Sequence, residues 1–121
     1  MQVRSFEFAI AIIGPFRQLD AVRRCPRAVG DQIVRSGTAI GANIQEAVSA
    51  YSRKDMAAKQ GIALKEARAC HYWLRLVAAT QPELQQATAP LLDEYNQLIA
   101  MLTASVKTLR SSNPPPLTSN L

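Results

Sequence analysis

The most constraining feature of this sequence is the stretch 35–74, where two apolar patterns of helical spacing flank one helix-capping signal. Apolar and small residues recur every three or four positions on both sides of the signal, as in packed helical seams. The signal is Ser52-Arg53-Lys54-Asp55, whose serine hydroxyl can cap the amide of Asp55. The first set is Ile33, Gly37, Ile40, Ile44, Ala47 and Tyr51, and the second is Met56, Ala63, Ala67, Cys70, Leu74 and Val77.

The first helix is predicted to begin near Ser5. Its pattern is interrupted at Gly14-Pro15, where we expect a kink or a break because proline lacks the amide that would bond to the carbonyl of Ala11. Arg24-Cys25-Pro26 then predicts the turn into the second helix. The predicted inward residues of the first helix are Phe6, Ala9, Ile10, Ile13, Phe16 and Leu19.

The remaining helices are predicted at about 27–51, 53–80 and 90–109. Gly37 and Gly41 lie one turn apart in the second helix, which predicts a close approach of a neighbouring backbone. Pro82 or Pro90 can occupy the first position of a following helix. The stripe of the last helix is Leu91, Tyr95, Leu98, Leu102, Val106 and Leu109, with Ile99 beside it.

These patterns predict an all-α fold, an antiparallel up-down four-helix bundle with short connections, as one domain at residues 1–110. Residues 111–121 carry three consecutive prolines and no periodicity, so we expect a mobile Pro/Ser-rich tail.

Composition places the chain among cytoplasmic proteins without a membrane segment. No apolar run approaches the roughly 20 residues that span a bilayer, and Glu7 interrupts the apolar start, which argues against a signal peptide. Cys25 and Cys70 form no metal-binding or redox motif and are expected to be inert thiols in a reducing compartment. The net charge of +5 permits attraction to nucleic acid, although solubility alone also explains such a value.

Four blocks of the chain follow one another in a recognisable order: Arg35–Ala47, Ser52–Asp55, Ile62–Arg68 and Tyr72–Leu74. Together they resemble the bacterial family of 23S rRNA intervening-sequence proteins, which includes the accessory variability determinants of diversity-generating retroelements. The resemblance implies a homopentamer assembled as a ring around a central channel. It also implies nucleic acid and a reverse transcriptase as partners.

The third helix carries two surfaces besides its core face. Ala58, Ile62, Ala69, Trp73 and Leu76 form a second apolar face, and Ile62, Trp73 and Leu76 are the candidate oligomer interface. A basic stripe is either a solvated helix face or a phosphate-binding surface, in which tyrosine stacks or forms hydrogen bonds. Arg35 and Arg53 are candidates to extend it. The candidate nucleic-acid-binding residues are Lys54, Lys65, Arg68, Tyr72 and Arg75.

The sequence offers few groups of residues typical of catalytic or metal sites. We therefore expect no catalytic residues, no metal and no cofactor. His71 is the single histidine, and the Glu-x-x-His pairs of di-iron bundles are absent from the sequence. The favoured function is a non-enzymatic accessory or scaffold protein that associates with nucleic acid as a homo-oligomer. The alternative is a structural protein-protein interaction module without a nucleic-acid role.

Overall fold

Four α-helices make up the part of the chain that this computed structural model describes, residues 1–21 and 26–111, with side chains for 1–14 and 26–111. Consecutive helices pack side by side and α1 also touches α4, whereas the described parts of α1 and α3 lie diagonally across the core. The predicted all-α four-helix bundle is therefore confirmed. The helices are α1 (Gln2–Ala21), α2 (Arg27–Val48), α3 (Arg53–Thr80) and α4 (Gln85–Leu109), and a 3₁₀ turn at Pro82–Leu84 precedes α4.

Contacts between helix ends show that consecutive helices run in opposite directions. Gln2, at the start of α1, donates a side-chain hydrogen bond of 3.3 Å to Gln45, near the end of α2. One apolar cluster joins Ala47 at the end of α2, Met56 at the start of α3 and Leu109 at the end of α4. These pairings require the up-down order that the sequence predicts.

The third helix has the predicted bounds because its start is capped. The Ser52 hydroxyl accepts a hydrogen bond of 3.0 Å from the Asp55 amide, and Ser52 adopts the extended backbone of an N-cap residue. The second helix ends at Val48, before the predicted Tyr51, because the chain needs the intervening residues to reverse direction. Tyr51 is fully exposed, so its predicted place in the seam is wrong, whereas the other seam residues are buried.

The first helix is longer than predicted and is not broken. It begins at Gln2 rather than near Ser5 and continues through Gly14-Pro15 to Ala21, so the alternative of a break at this proline is wrong. Proline removes only one backbone hydrogen bond, to the carbonyl of Ala11. Because Ala11 is exposed, water can replace the missing amide there.

The predicted inward face of α1 is also wrong, since Phe6, Ile10 and Ile13 are exposed. The helix buries Phe8 and Ile12 in their place, together with Ser5. Both faces of α1 are apolar, so spacing alone could not choose between them. Two contacts accompany the observed register: the Arg4 guanidinium pairs with the Glu94 carboxylate at 2.8 Å, and the Ser5 backbone packs closely against Gly41.

The fourth helix begins at Gln85, five residues before the predicted start, and Pro90 lies inside it. Pro82 is the proline that opens a helical segment, because it begins the 3₁₀ turn that leads into α4. Pro90 is tolerated on the exposed side of the helix, where water can replace the amide that proline does not offer to the carbonyl of Gln86. All residues of the predicted α4 stripe are buried, and Ile99 packs against them.

Several predictions concern residues outside the described part of the chain. The predicted turn includes Arg24 and Cys25, which are not described, and Pro26 directly precedes α2. Phe16 and Leu19 lie in the segment whose side chains are not described. The tail prediction falls outside the described residues from position 112 onward.

Gly37 and Gly41 both permit close packing against α1, although to different degrees. A Cβ atom on Gly37 would lie 3.1 Å from Tyr95 Oη and 3.2 Å from Ile12 Cγ1, which is closer than normal packing allows. A Cβ atom on Gly41 would lie 3.4 Å from the Ser5 carbonyl oxygen, an ordinary contact. The predicted backbone approach therefore occurs at Gly41, while Gly37 makes room for side chains.

Tyr95 of α4 joins all four helices at the centre of the core. Its ring packs edge-on against Phe8 of α1 with a centroid distance of 3.9 Å, and its hydroxyl lies beside Gly37 of α2. The same hydroxyl donates a hydrogen bond to the Cys70 thiol of α3, which donates in turn to the Ile33 carbonyl at 3.6 Å. Burial raises the pKa of Tyr95 and raises that of Cys70 to about 11.

We predict that Gly37→Ala will overpack the core. A matched control is Gly61→Ala in α3, where the added methyl group meets only the mobile end of Arg110 at 3.3 Å. Both variants gain helix propensity, but Tyr95 and Ile12 are fully buried, so any shift that makes room for the methyl group disturbs the surrounding core. In denaturant melts, Gly37→Ala should be less stable than Gly61→Ala by about 1–3 kcal/mol. Equal stability would show that the space beside Gly37 is not tightly filled.

We also predict that the Cys70 thiol is unreactive in the folded protein. With a pKa of about 11, only about one thiol in a thousand is ionised at a pH of about 8, and the thiolate is the reactive form. In a Cys25→Ser background, labelling by a thiol reagent should be orders of magnitude slower in buffer than in denaturant. Similar rates in both solutions would contradict the buried hydrogen-bonded position.

Candidate nucleic-acid interface

The five predicted nucleic-acid-binding residues all lie on the exposed side of α3. Lys54, Lys65, Arg68 and Arg75, called here the basic track, are exposed and pair with no carboxylate of the described residues. Helical geometry of about 100° per residue keeps them together on one side. The six residues of the predicted core face occupy the opposite side and are buried. The capped start of α3 therefore fixes where the track lies relative to the core.

The carboxylates of α3 are turned away from the basic track. Glu66 pairs with Arg35 of α2 at 3.2 Å, and a second contact of 3.4 Å joins the same two side chains. Asp55 accepts a hydrogen bond from the Tyr51 amide at 3.3 Å. Arg35 is thus engaged by Glu66 on the side of α3 that faces α2, which argues against its extending the track.

Arg110, directly after α4, adds a cation whose place beside the track was not predicted from the sequence. Arg110 reaches across to α3, where its guanidinium lies 3.3 Å from the position of a Cβ atom on Gly61. The absence of a side chain at Gly61 thus lets Arg110 approach Lys65 and Arg68. These residues line a groove of about 580 Å³ between the two helices, called here the α3/α4 groove. Its other lining residues are Ala58, Ile62, Leu64 and Val106.

A second groove of about 580 Å³ continues from Arg110 toward the start of α3, and Arg53 and Lys54 line it. Arg53 thus lies beside the track, as suggested from the sequence. Arg110 belongs to both grooves and links Lys54 to Lys65 and Arg68. None of the described residues that line either groove is acidic. The result is a continuous positive surface with an apolar floor, suited to an anionic ligand that has apolar parts.

Tyr72 and Arg75 lie at the other end of α3, beside a third groove of about 450 Å³ that Leu76 and Leu92 also line. Tyr72 is exposed and its ring meets Trp73 edge-on, with a centroid distance of 5.4 Å. A tyrosine ring that remains accessible between two arginines of the same helix can stack on a nucleobase.

The three predicted interface residues differ in their surroundings. Ile62 and Leu76 are exposed by 43% and 36%, as expected for a face that does not contribute to the core. Trp73 is partly buried and packs against the core cluster. A substitution at Trp73 would therefore disturb the fold, whereas substitutions at Ile62 and Leu76 test the surface alone.

The described residues offer no arrangement typical of metal or acid–base chemistry. Partial burial lowers the pKa of His71, assisted by the positive charge of Arg75, so the histidine adds little charge at neutral pH. Within the described ranges, His, Cys, Asp and Glu residues form no group of three suited to a metal ion. No described helix is long and apolar enough to cross a bilayer.

Comparisons with known proteins agree with this architecture. A solved structure of a protein of unknown function from the S23 ribosomal protein family of Bacteroides thetaiotaomicron is 35% identical, with a TM-score of 0.82. The similarity covers 88% of this chain and 97% of that protein. No curated protein matches the chain. The family model for 23S rRNA-intervening sequence proteins matches residues 2–104, and the chain therefore belongs to this family.

Proposed function

We propose that the protein is a non-enzymatic accessory or scaffold protein that binds the sugar-phosphate backbone of nucleic acid as a homo-oligomer. The observation that carries this proposal is the α3/α4 groove, where Arg110 joins Lys65 and Arg68 without a carboxylate among the described lining residues. Cations from two helices therefore line one groove. A basic helix face that only interacts with solvent would not need cations from a second helix beside it.

Phosphate contacts of this kind supply affinity without reading sequence. Cations that neutralise phosphates release condensed counterions, so binding is strong at low salt and weakens as salt rises. Neither a groove-reading helix motif nor a base-reading set of side chains accompanies the track in the sequence. We therefore expect binding that depends on charge and shape, with Tyr72 available to stack on an unpaired base.

RNA is the first ligand to test, because the family name refers to an intervening sequence of 23S rRNA. The resemblance noted in the sequence extends the proposal to a homopentameric ring and to a reverse transcriptase as a protein partner. The exposed Ile62 and Leu76 support self-association independently of that resemblance. Neither residue is needed to complete the core of the single chain.

A protein-protein interaction module without a nucleic-acid role is the second candidate. The observation that favours it is the number of exposed apolar side chains on α1 and α3, including Phe6, Ile10 and Ile62. Salt dependence distinguishes the two functions, because phosphate neutralisation gives a steep dependence on salt and protein docking need not.

We predict that removing groove cations will reduce the salt dependence of binding. Each lost phosphate contact should lower the slope of log affinity against log salt by about 0.7 for single strands and 0.9 for duplexes. Arg110→Gln should lower this slope by the amount expected for one phosphate contact, and Lys65→Gln combined with Arg68→Gln by the amount for two. Fluorescence anisotropy with unrelated RNA and DNA oligonucleotides, measured across a salt series, provides these slopes.

The matched control is Lys107→Gln, which removes an exposed cation of α4 that does not line the described grooves. It should leave the slope close to that of the parent. No binding by the parent at low salt would reject the nucleic-acid function. Equal losses in the control and the groove variants would reject this location for the site.

A further inference from the structure

The buried apolar side chains of the described residues form two separate clusters rather than one. The main cluster includes Phe8, Ile33, Leu74 and Tyr95, one residue from each helix. The second, called here the end cluster, lies where α2 and α4 end and α3 begins. Two of its four members are alanines, so little apolar surface holds this end of the bundle together. The end cluster consists of Ala47, Met56, Ala57 and Leu109.

A buried amide on α3 separates the two clusters. Gln60 continues the seam spacing of four and three residues between Met56 of the end cluster and Ala63 of the main cluster. Its side chain is 1% exposed, and neither the oxygen nor the nitrogen of its amide has a hydrogen-bond partner among the described residues. Such an amide opposes the packing of helices around it, because it loses hydrogen bonds to water and gains none in return.

The seam of α4 has a polar residue at the same level. Ser105 lies at the seam spacing between Leu102 of the main cluster and Leu109 of the end cluster. Its hydroxyl oxygen is buried and also has no partner in the described part of the chain. Because Met56 and Leu109 share the end cluster, the antiparallel helices bring Gln60 and Ser105 to one level of the core. These two residues are called here the polar layer.

We infer that the end of the bundle beyond the polar layer, called here the end unit and formed by residues 45–60 and 105–110, opens and closes while the main cluster stays packed. Opening brings water to the Gln60 amide and the Ser105 hydroxyl, and it exposes only the small end cluster. Both effects make this local opening cost less free energy than global unfolding, which also exposes the main cluster. The polar layer is thus the boundary of a separately opening unit.

Opening also changes a groove of the proposed nucleic-acid site, and this consequence rests on the proposed function. Ala57 and Leu109 of the end cluster line the groove that also holds Lys54 and Arg110. Lys54 lies on α3 and Arg110 directly follows α4, so separation of the two helices moves these cations apart. An RNA whose phosphates contact both cations binds the closed form better and therefore closes the end unit.

Hydrogen exchange measured by mass spectrometry on the protein without nucleic acid tests separate opening. The end of α2, the first turns of α3 and the end of α4 should exchange faster than the segments of the main cluster. Gln60→Met keeps the length of the side chain and the helix propensity but removes the unpaired amide. Exchange should therefore slow by about tenfold or more in all three segments, because packing no longer buries an amide without a partner. Independent fraying of the three helix ends would instead respond only in α3, which carries the substitution.

Two controls separate this effect from a change in overall stability. Gln86→Met makes the same substitution at an exposed position of α4 and should leave exchange unchanged. Ile40→Val removes a methyl group from the main cluster, so it should speed exchange there by about two- to tenfold and leave the end unit unchanged. Circular dichroism establishes that each variant is folded, and Gln60→Leu takes the place of Gln60→Met should that variant unfold.

Separate opening is excluded if Gln60→Met speeds exchange or slows it in α3 alone. It is likewise excluded if Ile40→Val speeds exchange equally in the end unit and the main cluster, since that result indicates one cooperative unit.

The coupling to the nucleic-acid site is tested by repeating the measurement with a short single-stranded RNA at low salt. Bound RNA should slow exchange in the end unit further, because a ligand that prefers the closed form stabilises it. RNA binding without this slowing would overturn the coupling. Absence of RNA binding would reject the proposed function, whereas the opening measured without RNA would stand, so the two failures are distinguishable.

Discussion

The hydroxyl group of Tyr95 lies where all four helices meet, and the arrangement of the bundle depends on its accommodation. A buried phenol needs a hydrogen-bond partner, which Cys70 of α3 provides. It also needs space, which Gly37 of α2 provides by having no side chain, while Phe8 of α1 packs on its ring. Each helix thus contributes a different residue to one point of the core. The contacts at this point fix the positions of all four helices relative to one another.

This central site also determines which surfaces remain free. Cys70 must face Tyr95, so the basic track on the opposite side of α3 must face outward. Phe8 and Ile12 must face the same junction, which leaves Phe6 and Ile10 on the other face of α1 exposed. The nucleic-acid function and self-association are therefore proposed for surfaces that the packing of the core does not use. Neither surface is required for the single chain to bury its core.

The sequence predicted α3 most accurately, because a cap and a single buried face specify it independently. It failed for the inward face of α1, where two apolar faces have helical spacing and only distant partners such as Glu94 select one. Pro90 was misleading as a start signal, because one missing hydrogen bond is tolerated where the carbonyl is exposed. Arg110 was missed because its position in the groove depends on Gly61, far away in the chain. Local spacing carries no information about such long-range contacts.

The claim most open to direct test is that nucleic acid lies along the α3/α4 groove. A single-stranded RNA containing photoreactive 4-thiouridine can be crosslinked to the protein at low salt, and the modified peptides identified by mass spectrometry. We expect crosslinks in peptides that contain Lys65, Arg68 and Tyr72 of α3 and Arg110 at the end of α4. Crosslinks confined to α1 and α2, or no binding of the RNA at low salt, would contradict the proposed site.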